Sequence, residues 1–362
     1  MKKKILIYFN SLIPSGGIER VIATLANKFC EQYDVTILVK DQNKSFYKLD
    51  DNIHLISLEN ELKFNMNSKV SRIFSALNSV VENKKALNLF LKNNAFDYYY
   101  LAHPLNVLEF YLARGINKKD TIISEHGSPD AYNVIYKTIK KWLYPRAKRY
   151  IVPTTTDTKY YLKKKFPAIY LPHFKSDLSY EKVKLENNIA LNIGRFTEVK
   201  QQKKLLIIWN SLVNKNKIKD WKLFLVGGGE LKEEFEKYIK DHNLEEFVFI
   251  FPPRQDVEYY YKQASLFLLS SKTEGFGMVL LEAISFGLPC ISFDCPSGPR
   301  DIIQSNRNGY LIELDDEIEF EKSVLKFIEE PDLKTRMSEE SFLMSKTWSD
   351  DKLLQQWYNI LN

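Results

Sequence analysis

Two glutamates, an arginine and a lysine stand where the chain could hold a phosphorylated sugar. In the stretch SKTEGFGMVLLEAISFGLPCISFDCPSGPRDII, Ser271 to Ile303, the turn Glu274-Gly275-Phe276-Gly277 follows an apolar run, and Glu282 comes eight positions after Glu274. Glycines at such a turn let the backbone come close to a ligand, and the unpaired amides and positive pole of a helix beginning near Gly277 make an anion site. Carboxylates accept hydrogen bonds from sugar hydroxyls. Two hydroxylated rings joined by a diphosphate could therefore use both, Glu274 from the loop and Glu282 from the helix. A second anion-binding element is Asn192-Ile193-Gly194-Arg195-Phe196-Thr197-Glu198-Val199-Lys200-Gln201. The planar fork of Arg195 matches phosphate oxygens, and Lys200, five positions on at a helix start, adds a point charge.

Other candidates lie in the first half. Pro14-Ser15-Gly16-Gly17-Ile18-Glu19-Arg20 joins a strand to a helix, so Gly16 and Gly17 could present amides to a ligand. Ser124-Glu125-His126-Gly127 ends another strand, and of the five histidines His126 is the best placed for chemistry. The run Val226-Gly227-Gly228-Gly229-Glu230 falls short of a dinucleotide fingerprint, its glycines permitting close packing of helix on strand, and the chain has no phosphate-binding P-loop. No Asp-x-Asp pair stands at a strand end, and Cys30, Cys290 and Cys295 lack metal-ligand spacing. A bound diphosphate must then be neutralised by protein cations and amides, with no metal and no cofactor.

The elements that must position these residues follow from periodicity. Short apolar runs alternate with amphipathic stretches, the pattern of parallel strands buried on both faces between helices. Strands are expected at Ile5 to Phe9, Val35 to Val39, Ile53 to Leu58, Tyr98 to Ala102, Thr121 to Ser124 and Tyr150 to Pro153. After a polar linker at 173–187, further strands are expected at Ile189 to Ile193, Lys222 to Val226, Phe247 to Phe251, Leu266 to Leu269, Cys290 to Phe293 and Tyr310 to Glu313. Ile18, Val21, Ile22, Leu25 and Phe29 repeat at helical spacing between the first two strands, a βαβ unit. This is an α/β chain of two doubly wound domains, 1–172 and 188–347, whose ligands belong beyond the carboxyl ends of the strands, in a central cleft. A last helix within 348–362 carries Leu353, Leu354, Trp357, Ile360 and Leu361 on one face.

Composition narrows the class. With 362 residues, 44% of them hydrophobic and 27% charged, the chain can build two proper cores, and no apolar run reaches the roughly 18 residues that span a bilayer. The odd cysteine count and the lack of an export signal at Met1 to Asn10 point to the cytoplasm. Residues 1–175 hold 28 basic and 15 acidic side chains, a net +13, against −7 for the remainder. Ten of the basic residues (Lys137, Lys140, Lys141, Arg146, Lys148, Arg149, Lys159, Lys163, Lys164, Lys165) fall between Val134 and Phe166 among seven aromatic residues. Read alone, such a segment suits an anionic membrane surface or a nucleic-acid backbone, or is a solvated basic face, and of these partners the membrane is expected and no nucleic acid.

These residues resemble the retaining glycosyltransferases of family 4, which have the GT-B fold of two Rossmann-like domains around a nucleotide-sugar cleft. The resemblance runs from GGIER through EHG, GRFTEVKQ and VGGGE to EGFGMVLLEAISFGLPCI and the terminal helix after Trp348. It implies that Arg195 and Lys200 bind the donor diphosphate, that Glu282 holds the ribose, and that Glu274 contacts the donor sugar. It further implies a phosphate cradle at Phe276, Gly277, Met278 and Val279, and a base pocket near Pro252 to Arg254. Gly17 resembles the glycine facing the phosphate from the other domain, and His126 the histidine near the donor sugar. The chain departs from the family at Asp294-Cys295-Pro296-Ser297-Gly298-Pro299-Arg300-Asp301, where a Gly-Gly segment is usual. The CPSGPRD wording is similar to that of bacterial enzymes that add hexose or N-acetylhexosamine to surface polysaccharides.

The expected activity is transfer of a hexose or N-acetylhexosamine from a UDP-sugar to a polysaccharide or lipid-linked oligosaccharide. The expected place is the inner face of the membrane. The competing readings are a nucleotide-sugar epimerase of the same fold and a sugar-binding protein without turnover.

Overall fold

A computed structural model of the chain describes residues 2–60, 69–117 and 119–362. It divides into two compact units, Met1–Phe174 with Asp351–Asn362, and Lys175–Asp350. In the first unit the order is β1 (Lys4–Tyr8), α1 (Gly17–Phe29), β2 (Asp34–Val39), β3 (His54–Ser57), α2 (Lys69–Asn93), β4 (Tyr98–Leu101), α3 (Pro104–Arg114), β5 (Thr121–Ser124), α4 (Val134–Leu143), β6 (Arg149–Val152), α5 (Thr155–Lys163) and β7 (Ala168–Tyr170). The seven strands form one parallel sheet in the order β3-β2-β1-β4-β5-β6-β7.

The second unit runs β8 (Ile189–Ile193), α6 (Gln202–Asn214), β9 (Lys222–Val226), α7 (Lys232–Asp241), β10 (Val248–Phe251), α8 (Glu258–Gln263), β11 (Leu266–Leu269), α9 (Met278–Ser285), β12 (Cys290–Phe293), α10 (Pro299–Ile302), β13 (Gly309–Ile312), α11 (Glu317–Glu329) and α12 (Pro331–Ser345). Its parallel sheet is ordered β10-β9-β8-β11-β12-β13. Strand order reverses between β1 and β4 in one sheet and between β8 and β11 in the other. Those reversals open a crevice at the carboxyl ends, where ligands of doubly wound sheets bind.

Helices cover both faces of each sheet, which is why the strands read as unbroken apolar runs. Leu266 and Leu268 of β11 enter one buried core with Trp209 and Phe327, while Phe267 and Leu269 enter the other with Leu280 and Phe286. In the first unit Ile5 and Ile7 of β1 pack on α1, and Leu6 and Tyr8 face the opposite core with Phe110. Trp348 is buried in the second unit. The helix after it, α13 (Asp350–Leu361), places Leu353, Trp357, Ile360 and Leu361 in the core of the first. The Trp357 ring meets Phe29 edge-on at 5.3 Å, and Tyr98 Oη donates to the Leu361 carbonyl.

One strand goes beyond the sequence expectation, and the linker segment is packed. Strand β7 is additional; three residues are too few to show a period, and pairing with β6 makes it a strand. The polar segment 173–187 packs along the protein rather than looping free. Phe174 joins the core of the first unit, and the buried Val183 donates its N–H to the Phe286 carbonyl at 3.0 Å.

Candidate functional site

The two candidate anion-binding elements leave β8 and β11, the strands on either side of the reversal in the second sheet. After β8, the Gly194 amide donates to Val226 O at 3.0 Å and the Phe196 amide to Gly228 O at 2.9 Å. The glycines after β9 make this possible: a Cβ on Gly227 would lie 2.0 Å from Gly194 O, and one on Gly229 2.4 Å from Phe196 O. The glycine run thus seats one loop against another, rather than a helix against a strand, and aims the intervening Arg195 outward. Arg195 is exposed, and its guanidinium makes no hydrogen bond or ion pair among the described residues. Its carbonyl accepts a bond from the buried Gln202 side chain at 3.1 Å, which anchors the turn to the start of α6.

Lys200 and Glu274 come together. The Lys200 ammonium lies 2.6 Å from Glu274 Oε1, the same oxygen that accepts a hydrogen bond from Ser271 Oγ at 2.6 Å. The loops carrying them are sewn together by Ser270 Oγ donating to Lys200 O at 2.8 Å and the Lys272 amide to Val199 O at 2.8 Å. Glu274 is 9% exposed. Gly277 caps α9 with φ +88°, a left-handed backbone that favours glycine, so the turn can point the first amides of α9, from Met278 and Val279, away from the chain. Phe276 is buried in the core beneath them.

Glu282 is on α9 as expected, but the helix turns it inward and it is 0% exposed. Its Oε1 accepts a hydrogen bond from Ser176 and its Oε2 one from Tyr261 at 2.8 Å. Arg254 follows the edge strand β10, and its guanidinium is paired with Asp256 at 2.7 and 2.8 Å. Its neighbour Pro253 borders Gly228, which places the 252–254 loop beside the glycine run. In the segment 294–301, Cys295 and Ser297 to Pro299 are buried while Pro296 and Arg300 are exposed, and a Cβ on Gly298 would come within 2.4 Å of Phe276 O, so this turn is fitted to the loop before α9. Burial and the nearby Glu274 push the Cys295 thiol up to about 12, which makes it an unreactive core group.

In the first unit, Gly16 caps α1 and Gly17 is its first residue. A Cβ on Gly16 would strike Glu19 Oε2 at 2.1 Å, whereas one on Gly17 would meet nothing within 4 Å. His126 follows β5, its ring stacked on His173 with centroids 5.0 Å apart and planes 8° apart, its Nε2 buried without a hydrogen-bond partner among the described residues. Burial, then His103 and Lys140, push His126 down to about 3. Burial, then Lys40, push His103 down to about 4, and burial, then His126, holds His173 well below the usual imidazole range. At neutral pH the three rings are uncharged and suited to sugar hydroxyls rather than phosphate.

The His126 loop hangs on Glu125, which sequence reading passed over. One carboxylate oxygen accepts from the amides of His126 at 3.0 Å and Gly127 at 3.2 Å and from Tyr132 Oη at 2.6 Å. The other accepts from Lys140, Tyr150 and Tyr161. Burial alone would raise the Glu125 carboxyl, but Lys140 and the tyrosine hydroxyls hold it below the ordinary range. Lys140 therefore leaves the basic surface, and Tyr144, Tyr150, Tyr161 and Phe166 turn inward with it. What α4 presents outside is Val134, Ile135 and Trp142, the last 60% exposed, beside Lys137 and Lys141. Ser271, Tyr261, Ser176 and His173 were missed too. Ser271 opens the most informative stretch and His173 borders the linker, but a hydroxyl or a ring partner has no signature of its own.

Among the described residues, no three His, Cys, Asp or Glu side chains are grouped to hold a metal ion, and no helix is long and apolar enough to cross a membrane. A family model described as Glycosyltransferase Family 4 matches residues 15–171, and one described as Glycosyl transferases group 1 matches residues 176–344. An uncharacterized glycosyltransferase of Haemophilus influenzae is 29% identical, over 99% of this chain and 100% of its own. The amylovoran biosynthesis glycosyltransferase AmsD of Erwinia amylovora is 26% identical over 99% of each chain. A Campylobacter jejuni α-1,4-N-acetyl-D-galactosaminyltransferase, named for a GalNAc-containing undecaprenol diphosphate, is 27% identical over 96% of this chain and 95% of its own. Among solved structures, a variant of Staphylococcus aureus TarM in complex with Fondaparinux, α-GlcNAc-glycerol and UDP has a TM-score of 0.83 at 16% identity, over 99% of this chain and 100% of that one. HepE of Anabaena, in complex with UDP and glucose, has a TM-score of 0.76 at 15% identity over 99% of each.

Proposed function

The chain belongs to the family 4 glycosyltransferases of the GT-B fold, and from that premise we propose that it moves a hexose or N-acetylhexosamine from a UDP-sugar to a polysaccharide or lipid-linked oligosaccharide, with retention at the anomeric carbon. The observation that carries this reading is that the Arg195 guanidinium, unpaired among the described residues, and the Lys200–Glu274 pair sit on the loops after the neighbouring strands β8 and β11, at the strand reversal of the second sheet. Relatives named for amylovoran and undecaprenol-linked sugars support the acceptor class, and fold neighbours holding UDP support the donor.

Charge dictates the chemistry. Breaking the bond between the anomeric carbon and the diphosphate oxygen puts negative charge on the leaving nucleotide and oxocarbenium character on the sugar. Once the donor is bound, Arg195, Lys200 and the amides of Gly277, Met278 and Val279 meet that negative charge with hydrogen-bond donors, which lower the barrier without a metal. When Lys200 turns to phosphate, Glu274 is released to hold the sugar hydroxyls and face the positive charge. For retention the acceptor oxygen attacks from the face the diphosphate leaves, and the departing phosphate oxygen takes its proton.

Glu282 takes the ribose by exchanging the Ser176 hydroxyl for a ribose hydroxyl, and the 252–254 loop borders the base. In the first unit, Gly16 and Gly17 supply amides and the neutral His126 a hydroxyl-binding ring. The exposed Val134, Ile135 and Trp142 with Lys137 and Lys141 give α4 the form of a helix that lies on an anionic membrane, which suits a lipid-linked acceptor on the cytoplasmic face.

Incubation of the protein with UDP-glucose, UDP-galactose and their N-acetyl forms, with and without an undecaprenol-linked oligosaccharide, tests the reading. An α-linked product formed only when the acceptor is present is the expected result. Isomerised donor without transfer, or no reaction with any donor, would overturn it.

A further inference from the structure

Each of the two glutamates is gripped by a buried protein hydroxyl. Glu274 receives Ser271 Oγ and Lys200 Nζ on the same oxygen, both at 2.6 Å, and its Oε2 makes no hydrogen bond or ion pair among the described residues. The two partners are not equivalent. Lys200 is 29% exposed on an irregular turn and can leave for a diphosphate, whereas Ser271 is 1% exposed and stays. A carboxylate turns in a broad, two-fold torsional well, so one fixed donor on Oε1 decides where Oε2 points. At Glu282 both hydroxyl donors are buried, Ser176 at 5% and Tyr261 at 0% exposed, and they differ instead in what holds them. Ser176 lies outside any helix or strand, while the Tyr261 ring is locked between Phe286, stacked at 5.2 Å and 12°, and Phe267, at 5.9 Å and 29°.

We propose that Ser271 and Tyr261 are positioning residues, Ser271 acting on the reacting sugar through Glu274 and Tyr261 on the nucleoside through Glu282. The inference rests on the donor site assigned above, and it divides the work of the two hydroxyls in a way that packing alone would not. Glu274 acts where charge develops, so loosening it slows turnover. Glu282 holds a part of the donor that does not react, so loosening it weakens binding equally in ground and transition states.

The test is steady-state kinetics at saturating acceptor for Ser271→Ala, Ser271→Thr, Tyr261→Phe, Glu274→Ala and the Ser271→Ala/Glu274→Ala double variant, with the wild type in parallel. The first and third remove one oxygen each and keep the packing. Ser271→Ala is expected to lower kcat about 10-fold with donor KM within about twofold, Ser271→Thr to restore most of the loss, and Tyr261→Phe to raise donor KM about 5- to 10-fold with kcat within about twofold. Added to Glu274→Ala, Ser271→Ala should cost nothing further, because its only route to the sugar is already gone. Equal losses of kcat and affinity in both variants, unchanged kinetics in either, or a full further loss in the double variant overturns the proposal. If the wild type transfers sugar while the variants show no such split, the inference alone fails. If the wild type turns over no donor, the donor-site reading fails and this falls with it.

Discussion

Arg195 and Lys200 carry the same charge into the site but leave different things behind when removed. Arg195 has no side-chain partner to lose among the described residues, so Arg195→Ala should lower kcat about 100- to 1000-fold, the usual effect of deleting one donor to a developing charge, with the melting temperature unchanged. Lys200→Ala should lower kcat as far and also free Glu274. Near-normal turnover in both variants, measured with any donor that the wild type accepts, would refute the assignment. Elsewhere a buried charge does structural work. Lys40 and Glu109, each 1% exposed, pair at 2.7 Å, with Tyr8 donating to the carboxylate at 2.8 Å and Asn83 at 2.9 Å. Lys40→Ala should cost about 3–5 kcal/mol of stability by stranding Glu109, and Lys40→Met with Glu109→Leu should recover most of it. Denaturant unfolding of the two variants decides this; equal losses in both would show that the pair is not the source. Residue types in order along the chain were enough to single out Glu274, Glu282, Arg195 and Lys200 as candidates. They were not enough to find Glu125, because a charge count does not tell which side chains turn inward, and Lys140 was counted with the surface lysines for the same reason.

Among elements, the strands were legible because parallel strands covered on both faces must be apolar throughout. Ile189–Ile193 and Lys222–Val226 fall where the apolar runs do. Strand β7 escaped because its three residues gain strand geometry only from β6. The glycine run after β9 was legible as a place of close packing, but what packs there is the 194–196 loop, distant in sequence, and not a helix on a strand. Gly229→Ala tests that role. A Cβ 2.4 Å from Phe196 O must push the 194–196 turn aside, so the variant should bind UDP at least about 10-fold more weakly while unfolding within a few degrees of the wild type. Unchanged affinity in calorimetric titration would mean that the turn tolerates the shift and that the glycine serves something else. Helix α4 is the other element whose face can be tested. Binding to vesicles containing anionic phospholipid should weaken with added salt and fall in Trp142→Ala, a change at an exposed position that leaves the core intact. Salt-insensitive binding, or none, would reduce its lysines to a solvated surface.

At the scale of the whole molecule, charge and titration separate the two halves. Residues 1–175 carry +13 and the remainder −7, an imbalance readable from composition, whereas the uncharged imidazoles that gather in the first unit were not. His103 is pushed down to about 4, His126 to about 3, and His173 also lies well below the usual range, while the same groups in an unfolded chain titrate near 6.5. Between those values the unfolded chain binds more protons than the folded one, so the stability these burials allow is present above about pH 6.5 and is lost as pH falls toward 4. Melting temperatures should therefore drop steadily from pH 7 to pH 5, and His126→Gln should flatten the slope. A melting temperature constant over that range would show that the rings are protonated in the folded state.

The central claim is that Arg195 and Lys200 of the second unit take the diphosphate of a nucleotide. A crystal of the full chain grown with UDP examines it directly. The two phosphates are expected against Arg195, Lys200 and the first amides of α9, with Lys200 withdrawn from Glu274 and the ribose on Glu282 in place of Ser176. UDP bound away from these residues, or no UDP at saturating concentration, would contradict it.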